Sequence, residues 1–257
     1  MKKEIRPIHA DEAPQFLNLL CSVFELDYDR ASSIFFSEPF FDLKRKWALF
    51  QDGQMTTILT TTPLEFGWGS AIGIAGVATA PECRGHGYGQ ELLEHVIGHS
   101  EAGGEKAAIL FAHEETLYRR VGFQATDEVI RGHIVRNVGE LGDELPKSEV
   151  QRIYQEWSDS DPGRLRRDER RWQYWSWVYR SCEKVGAGYI CNEPSIVREA
   201  ILDQDHDAWP VMHNSEFFGM KSMARQMKVP LVQEEHHLIV MTRNFPVPPQ
   251  MFMTDQF

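Results

Sequence analysis

The chain of 257 residues carries 27 Lys and Arg against 38 Asp and Glu, a formal charge of −11, with 42% hydrophobic and 25% charged residues. That is the make-up of a soluble globular protein, long enough to bury a core in one large or two modest domains without metal or disulfide staples. The acidic balance repels phosphate backbones, which excludes nucleic acid as the main partner and favours a cationic small molecule or basic peptide.

Four cysteines, Cys21, Cys83, Cys182 and Cys191, are scattered without a C-x-x-C pair. Zinc ribbon, redox pair and disulfide framework are thereby disfavoured, and a reducing, cytoplasmic setting is expected. The N-terminus meets Glu4, Pro7 and Asp11 before any apolar core, unlike a secretory signal. The longest uncharged run, residues 66–81, is glycine-broken and short of the roughly 18 apolar residues a membrane span needs.

In chain order, residues 3–8 alternate as a short edge strand, and residues 10–25 place Phe16, Leu19, Leu20, Val23 and Phe24 at helical spacing. Residues 45–51 and 55–66 form two strands about Asp52-Gly53, a hairpin signal. A strand over 70–79 leads through a Pro- and Gly-containing loop into a helix over 87–99 with Leu92, Leu93, Val96 and Ile97 on one face. A buried strand over 106–112, a short helix over 114–121 and strand structure over 129–136 complete a mixed sheet with helices on both faces. Residues 139–146 are a polar, turn-rich connector, the expected domain boundary. Beyond it the pattern predicts helices over 146–157 and 162–182, two strands over 188–202, a helix over 206–227, and strands over 237–243 and 251–254.

The chemistry-bearing stretch is Val77-Ala-Thr-Ala-Pro-Glu-Cys-Arg-Gly-His-Gly-Tyr-Gly89, which sets Arg84 and three alternate glycines between a strand and a helix start. Backbone amides there converge as an anion nest, helped by the positive end of the helix. No Gly-Lys-Ser/Thr follows, so it is not a Walker loop, and the dinucleotide pattern G-x-G-x-x-G does not fit. The R-x-x-G-x-G pattern after V-x-T-x-P resembles the acetyl-coenzyme A motif of the GCN5-related N-acetyltransferase (GNAT) superfamily. Downstream, Leu117-Tyr-Arg-Arg-Val-Gly-Phe123 resembles that superfamily's second signature.

The resemblance implies an α/β (α+β) fold: a GNAT acetyl-CoA-binding catalytic domain over residues 1–140 with a central mixed, mostly antiparallel sheet. A smaller GNAT-like domain over 146–257 follows. It implies that the strand at Val77, Ala78 and Thr79 splays from its neighbour to pair with the pantetheine arm. The loop of Arg84, Gly85, His86, Gly87, Tyr88, Gly89 and Gln90 then holds the pyrophosphate, with His113 and Glu114 as further cofactor neighbours. Tyr118 matches the tyrosine that protonates the departing thiolate, and an amide near Val77 would stabilise the oxyanion. The reaction is direct transfer to a primary amine, on a small molecule or a lysine side chain, and the acidic balance favours a cationic acceptor such as an aminoglycoside or polyamine.

His113-Glu114-Glu115 lacks the H-E-x-x-H spacing of a zincin, so no metal is expected. Cys83 is read as structural, not nucleophilic. In the second half five arginines fall within residues 164–171, ahead of Trp172, Trp175 and Tyr179 at i, i+3, i+7. That spacing reads as an amphipathic helix with a packed aromatic stripe, ahead of an RNA-binding reading. The stretch also resembles the middle domain of Eis-type (enhanced intracellular survival) acetyltransferases. Those carry a third, sterol-carrier-like domain that this sequence lacks, which leaves the acceptor and any homo-oligomer open. Some use a C-terminal carboxylate as general base, and this chain ends in Phe257. Asp255 competes for that role, and a loose terminus is the plain alternative. The rival function is a non-catalytic acyl-CoA sensor or scaffold.

Overall fold

The computed structural model describes residues 2–135, 140–178, 180–202, 209–210 and 215–257. Strand β1 (Lys3–Pro7) precedes α1 (Ala13–Phe24) and α2 (Tyr28–Phe35), and β2 (Lys46–Gln51) pairs back on β1. Helix α2 was not expected from periodicity. Its start is set by Asp27, whose carboxylate accepts a hydrogen bond from the Arg30 amide at 2.8 Å. Asp52 and Gly53, with φ of 49° and 85°, turn β2 into β3 (Gln54–Phe66), as a two-residue hairpin requires. Then come β4 (Gly69–Thr79), α3 (Tyr88–Ala102), β5 (Ala107–Ala112), α4 (Thr116–Arg120) and β6 (Gln124–Ile134).

The second half adds α5 (Lys147–Asp159), β7 (Leu165–Arg166), α6 (Glu169–Trp177), β8 (Ser181–Val185), β9 (Gly188–Glu193) and β10 (Ile196–Ile201). It ends with β11 (Glu216–Met220), α7 (Lys221–Gln226) and β12 (Leu231–Arg243). Among the described residues these strands form one sheet in the order β1-β2-β3-β4-β5-β12-β6-β11-β10-β9-β8, with β7 paired to β3. Among the described strands, β4–β5 and β10–β11 pair in parallel and the others antiparallel.

Strand alternation decides which core each side chain joins. Ala48 and Phe50 pack under α1 with Phe16, Leu17 and Ile58, whereas Trp47 and Leu49 face the opposite side, where α3 inserts Leu92, Leu93 and Val96. The halves meet through β12, which lies between β5 and β6 and pairs antiparallel with both. Val240 enters the large core shared with the second half, and Met241 the core beneath α3.

Four expectations are corrected. Instead of a helix over 162–182, β7 comes first, α6 begins after Asp168, whose carboxylate caps it by accepting from the Arg171 amide at 2.7 Å, and β8 starts at Ser181. Trp172 and Trp175 are buried, while Tyr179 lies outside the described residues. The helix expected over 206–227 is in part β11 and only then α7, with residues 206–208 and 211–214 outside the described residues, as is residue 136 of the expected strand end. The strand expected over 251–254 is a 3₁₀ turn, Met253–Asp255, because its side chains bond inward rather than to a sheet edge. Finally, Cys182 and Cys191 are joined as a disulfide. The β8–β9 register sets them opposite each other with Cα atoms 4.2 Å apart, a pairing that no linear motif announces.

No helix among the described residues is long and apolar enough to cross a membrane.

Candidate active site

The site opens where β4 and β5 part. Their parallel pairing runs from Ala71 opposite Ala107 to Ile74 opposite Leu110 and stops. On the other side of β4 the register against β3 slips between Ile58–Ala78 and Thr60–Ala75, so Leu59 faces both Gly76 and Val77. That is a β-bulge, and Gly76 supplies the positive φ of 60° it needs. The bulge bends β4 away from β5 and leaves a cleft of about 510 Å³. Val77, His113, Glu114 and Tyr118 all line it, together with Phe257. Ala78 does not; its side chain is buried beneath α1, so only its backbone is near the cleft.

At the far end of β4, Thr79, Arg84, Gly85, Gly87, Tyr88, Gly89 and Gln90 surround a separate recess of about 250 Å³. Gly85 and Gly87 both have φ of 78°, a left-handed conformation that glycine adopts at no steric cost. Among the described residues none of the amides from Gly85 through Gln90 has an acceptor; the first helical bond runs from the Glu91 amide to the Gly87 carbonyl. Unpaired amides at a helix start are an anion site, and a diphosphate fits it by chemistry and by room. The His86 side chain stacks on Tyr88, its Nδ1 lies 2.9 Å from the Arg84 carbonyl, and it does not line the recess. Arg120 on α4 lines the recess opposite Arg84. Sequence reading missed Arg120, although the Tyr-Arg-Arg run of the second motif was the available signal.

Tyr118 is held above the ordinary phenol range, chiefly by burial and further by the Glu114 charge. It therefore remains a proton donor at neutral pH. His237 of β12 faces the same cleft across from His113, ring centroids 6.3 Å apart. Burial, then His113 and Arg131, hold its imidazole below the ordinary value. Nothing near His237 in sequence pointed to it, because β12 reaches the site only by insertion into the sheet.

Phe257 stands at the centre. Its ring occupies a hollow over Gly73, where an added Cβ would fall 2.6 Å from three ring carbons, and packs against Phe111 at 5.5 Å. The Tyr174 hydroxyl donates to the Gln256 carbonyl at 2.7 Å, and Arg171 donates to the Asp255 carbonyl at 3.2 Å. Asp255 is not free to act as a base: it is fully buried, and Arg167 donates to its Oδ2 at 2.7 Å. Arg167 also holds both Glu199 oxygens, at 3.0 and 2.7 Å, and Glu199 accepts from Trp175 Nε1, Tyr189 and Thr254. Burial opposes ionisation of Glu199, but Arg167 and these donors outweigh it and hold the carboxyl below its usual range. The same two carboxylates keep Arg167 firmly protonated against its burial. The arginine run thus supplies an internal clamp on the segment that ends in Phe257.

A second cavity, of about 480 Å³, lies between α1, α2, β4 and α6. It meets the cleft at Ala75, Gly76 and Phe257, which line both. Its walls include Leu17, Leu20, Ile34 and Phe35, and it escaped the sequence reading because α2 did.

Residues 4–126 match the family model of the acetyltransferase (GNAT) domain. No curated protein matches the chain. Among solved structures, a GCN5-related N-acetyltransferase from Kribbella flavida is 14% identical with a TM-score of 0.67, and one from Anabaena variabilis is 15% identical with a TM-score of 0.64; each comparison covers 94% of this chain and 72% of the other. Eis1 from Mycobacterium abscessus is 13% identical with a TM-score of 0.63, over 94% of this chain and 73% of its own. The match to the acetyltransferase (GNAT) domain thus spans a little under half of the chain, and at such identities the likeness to the solved structures is one of fold over nearly all of it.

Proposed function

We propose that the protein transfers the acetyl group of acetyl-CoA to a primary amine by direct attack. The observation that carries the reading is the meeting of two cavities at Ala75, Gly76 and Phe257, beside a strand whose edge is freed by a bulge. One cavity continues towards an anion recess suited to the diphosphate; the other admits an acceptor to the same point.

In this reading the free edge of β4 at Val77, Ala78 and Thr79 aligns the pantetheine arm, and the amides from Gly85 through Gln90 hold the diphosphate, with Arg84 and Arg120 adding charge. The amine nitrogen attacks the thioester carbon, an amide near Val77 faces the developing oxyanion, and Tyr118 delivers its proton to sulfur. The α-carboxylate of Phe257, a residue that lines both cavities, takes the proton from the amine. Residues 1–140 act as the catalytic domain, and 146–257 as a second GNAT-like unit that lends β12 and the terminal segment to the site. A cytoplasmic setting belongs to the same proposal.

The test pairs calorimetry of acetyl-CoA binding with thiol release over a panel of amines. Binding with turnover is expected. Binding without release from any amine would favour an acyl-CoA sensor, and absence of binding would remove the cofactor assignment. A C-terminal extension should cut kcat while acetyl-CoA still binds; full activity in the extended protein would remove the Phe257 carboxylate from the mechanism.

A further inference from the structure

The second cavity speaks about the acceptor itself. Three side-chain carboxylates and three cations line it, Glu25, Asp27 and Glu38 against Arg30, Lys46 and Arg171, so the side-chain charges cancel despite the acidity of the whole chain, and the α-carboxylate of Phe257 is the one negative charge beyond them. Most of these groups are already engaged. Asp27 caps α2. Glu38 pairs with Lys46 at 3.1 Å, and the Lys46 ammonium sits 4.2 Å from the Phe35 ring centroid with its side chain almost wholly buried. Arg171 donates to the carbonyls of Asp255 and Pro63. A polycation would need several uncompensated carboxylates, and burying its charges without them is costly.

The remaining surface is apolar. Leu26 and Ile34 line the cavity while being 48% and 46% exposed, which places apolar side chains at its mouth. Deeper in, Phe40 packs on Tyr174 with centroids 5.5 Å apart. At about 480 Å³ the cavity falls within the roughly 300–1,000 Å³ of small-molecule sites.

We infer that the acceptor is a small primary amine carried on an alkyl or aromatic body, which fills the cavity with its amine at Ala75, Gly76 and Phe257. This rests on the acetyl-transfer reading but names the substrate class that reading leaves open. The body gains by leaving water, and a single ammonium delivered to the junction loses its proton before attack. In the transfer the nitrogen–carbonyl bond forms as the carbon–sulfur bond breaks, giving the amide and free CoA thiol.

The experiment measures kcat/KM for the alkylamines from ethylamine to hexylamine, with 2-phenylethylamine and spermidine alongside. Calorimetry of hexylamine on the protein saturated with CoA accompanies it. The expected result is a rise of about fourfold per methylene until the cavity is full, with spermidine poor. Ile34→Lys, at the exposed mouth, should flatten the series while acetyl-CoA binding is kept. A flat series with spermidine preferred would overturn this inference and leave acetyl transfer standing. Hexylamine that binds the CoA-loaded protein but is never acetylated would overturn acetyl transfer and leave the apolar-amine site standing. Neither binding nor turnover of any alkylamine would overturn the inference outright.

Discussion

The loop of residues 84–90 and the buried cluster around Arg167 use polar groups in opposite ways. The loop leaves six successive amides without acceptors, at the surface and at a helix start. The cluster leaves none of its charges unmet: Arg167, Glu199 and Asp255 are buried and bonded to one another and to Trp175, Tyr189 and Thr254. An unmet donor facing water is tolerable and ready for an anion; an unmet charge in the interior is not. The first arrangement receives a ligand, and the second holds a segment of chain in place.

If that contrast is right, substitutions at the two places should fail differently. The largest effect should come from Arg167→Ala, which strands Glu199 and Asp255 and should cost about 3–5 kcal/mol in urea unfolding. Retention of parental stability would show that the cluster is not a clamp. Gly87→Asp should do the reverse. Its strained φ costs only about 1 kcal/mol, and no atom lies within 4 Å of the added Cβ. Acetyl-CoA binding by calorimetry should nevertheless fall by about 10³-fold, as a carboxylate meets the diphosphate. Undiminished affinity would move the cofactor elsewhere.

Between these extremes sits Tyr118, half-buried in the cleft. Tyr118→Phe should lower kcat by about 10²-fold with cofactor affinity kept. Because burial holds this phenol above its ordinary value of 10, parental kcat should not fall as pH rises from about 8 to 10; a fall in that window would point to another acid.

The smallest effect concerns a pair of partly exposed groups. Arg6 holds the Glu12 carboxyl down to about 2, burial opposing, from an ordinary 4.5. A depressed carboxyl adds stability above its unfolded value, lost as pH falls through the folded one. Thermal melts between about pH 5 and 2 should thus steepen in the parent relative to Glu12→Gln, by roughly 1–2 kcal/mol after allowance for solvent screening. Parallel curves would make the pair ornamental.

Much of the donor side was legible in the linear chain. Asp52-Gly53, the alternating β2 and the glycine loop are local: their conformations follow from residues within a few positions, so pattern and backbone preference suffice. The acceptor side was not. Helix α2 rests on an Asp27 cap and on packing against α1 and β2 more than on a long apolar period. The Cys182–Cys191 bond depends on the register of the β8–β9 hairpin, His237 in the cleft on the pairing of β12 with β6, distant in the chain, and the inward fold of Asp255 on Arg167, more than 80 residues away.

What the sequence determined by itself was the anion-binding loop, its flanking strand and helix, and the second motif bearing Tyr118, because short-range sterics and helix periodicity specify them. Tertiary structure decided the rest. Insertion of β12 between β5 and β6, capture of Arg167 by two carboxylates and the seat of Phe257 over Gly73 all join surfaces far apart in the chain. Such pairings are selected by burial and charge compensation across the whole core, quantities to which no local stretch of sequence has access.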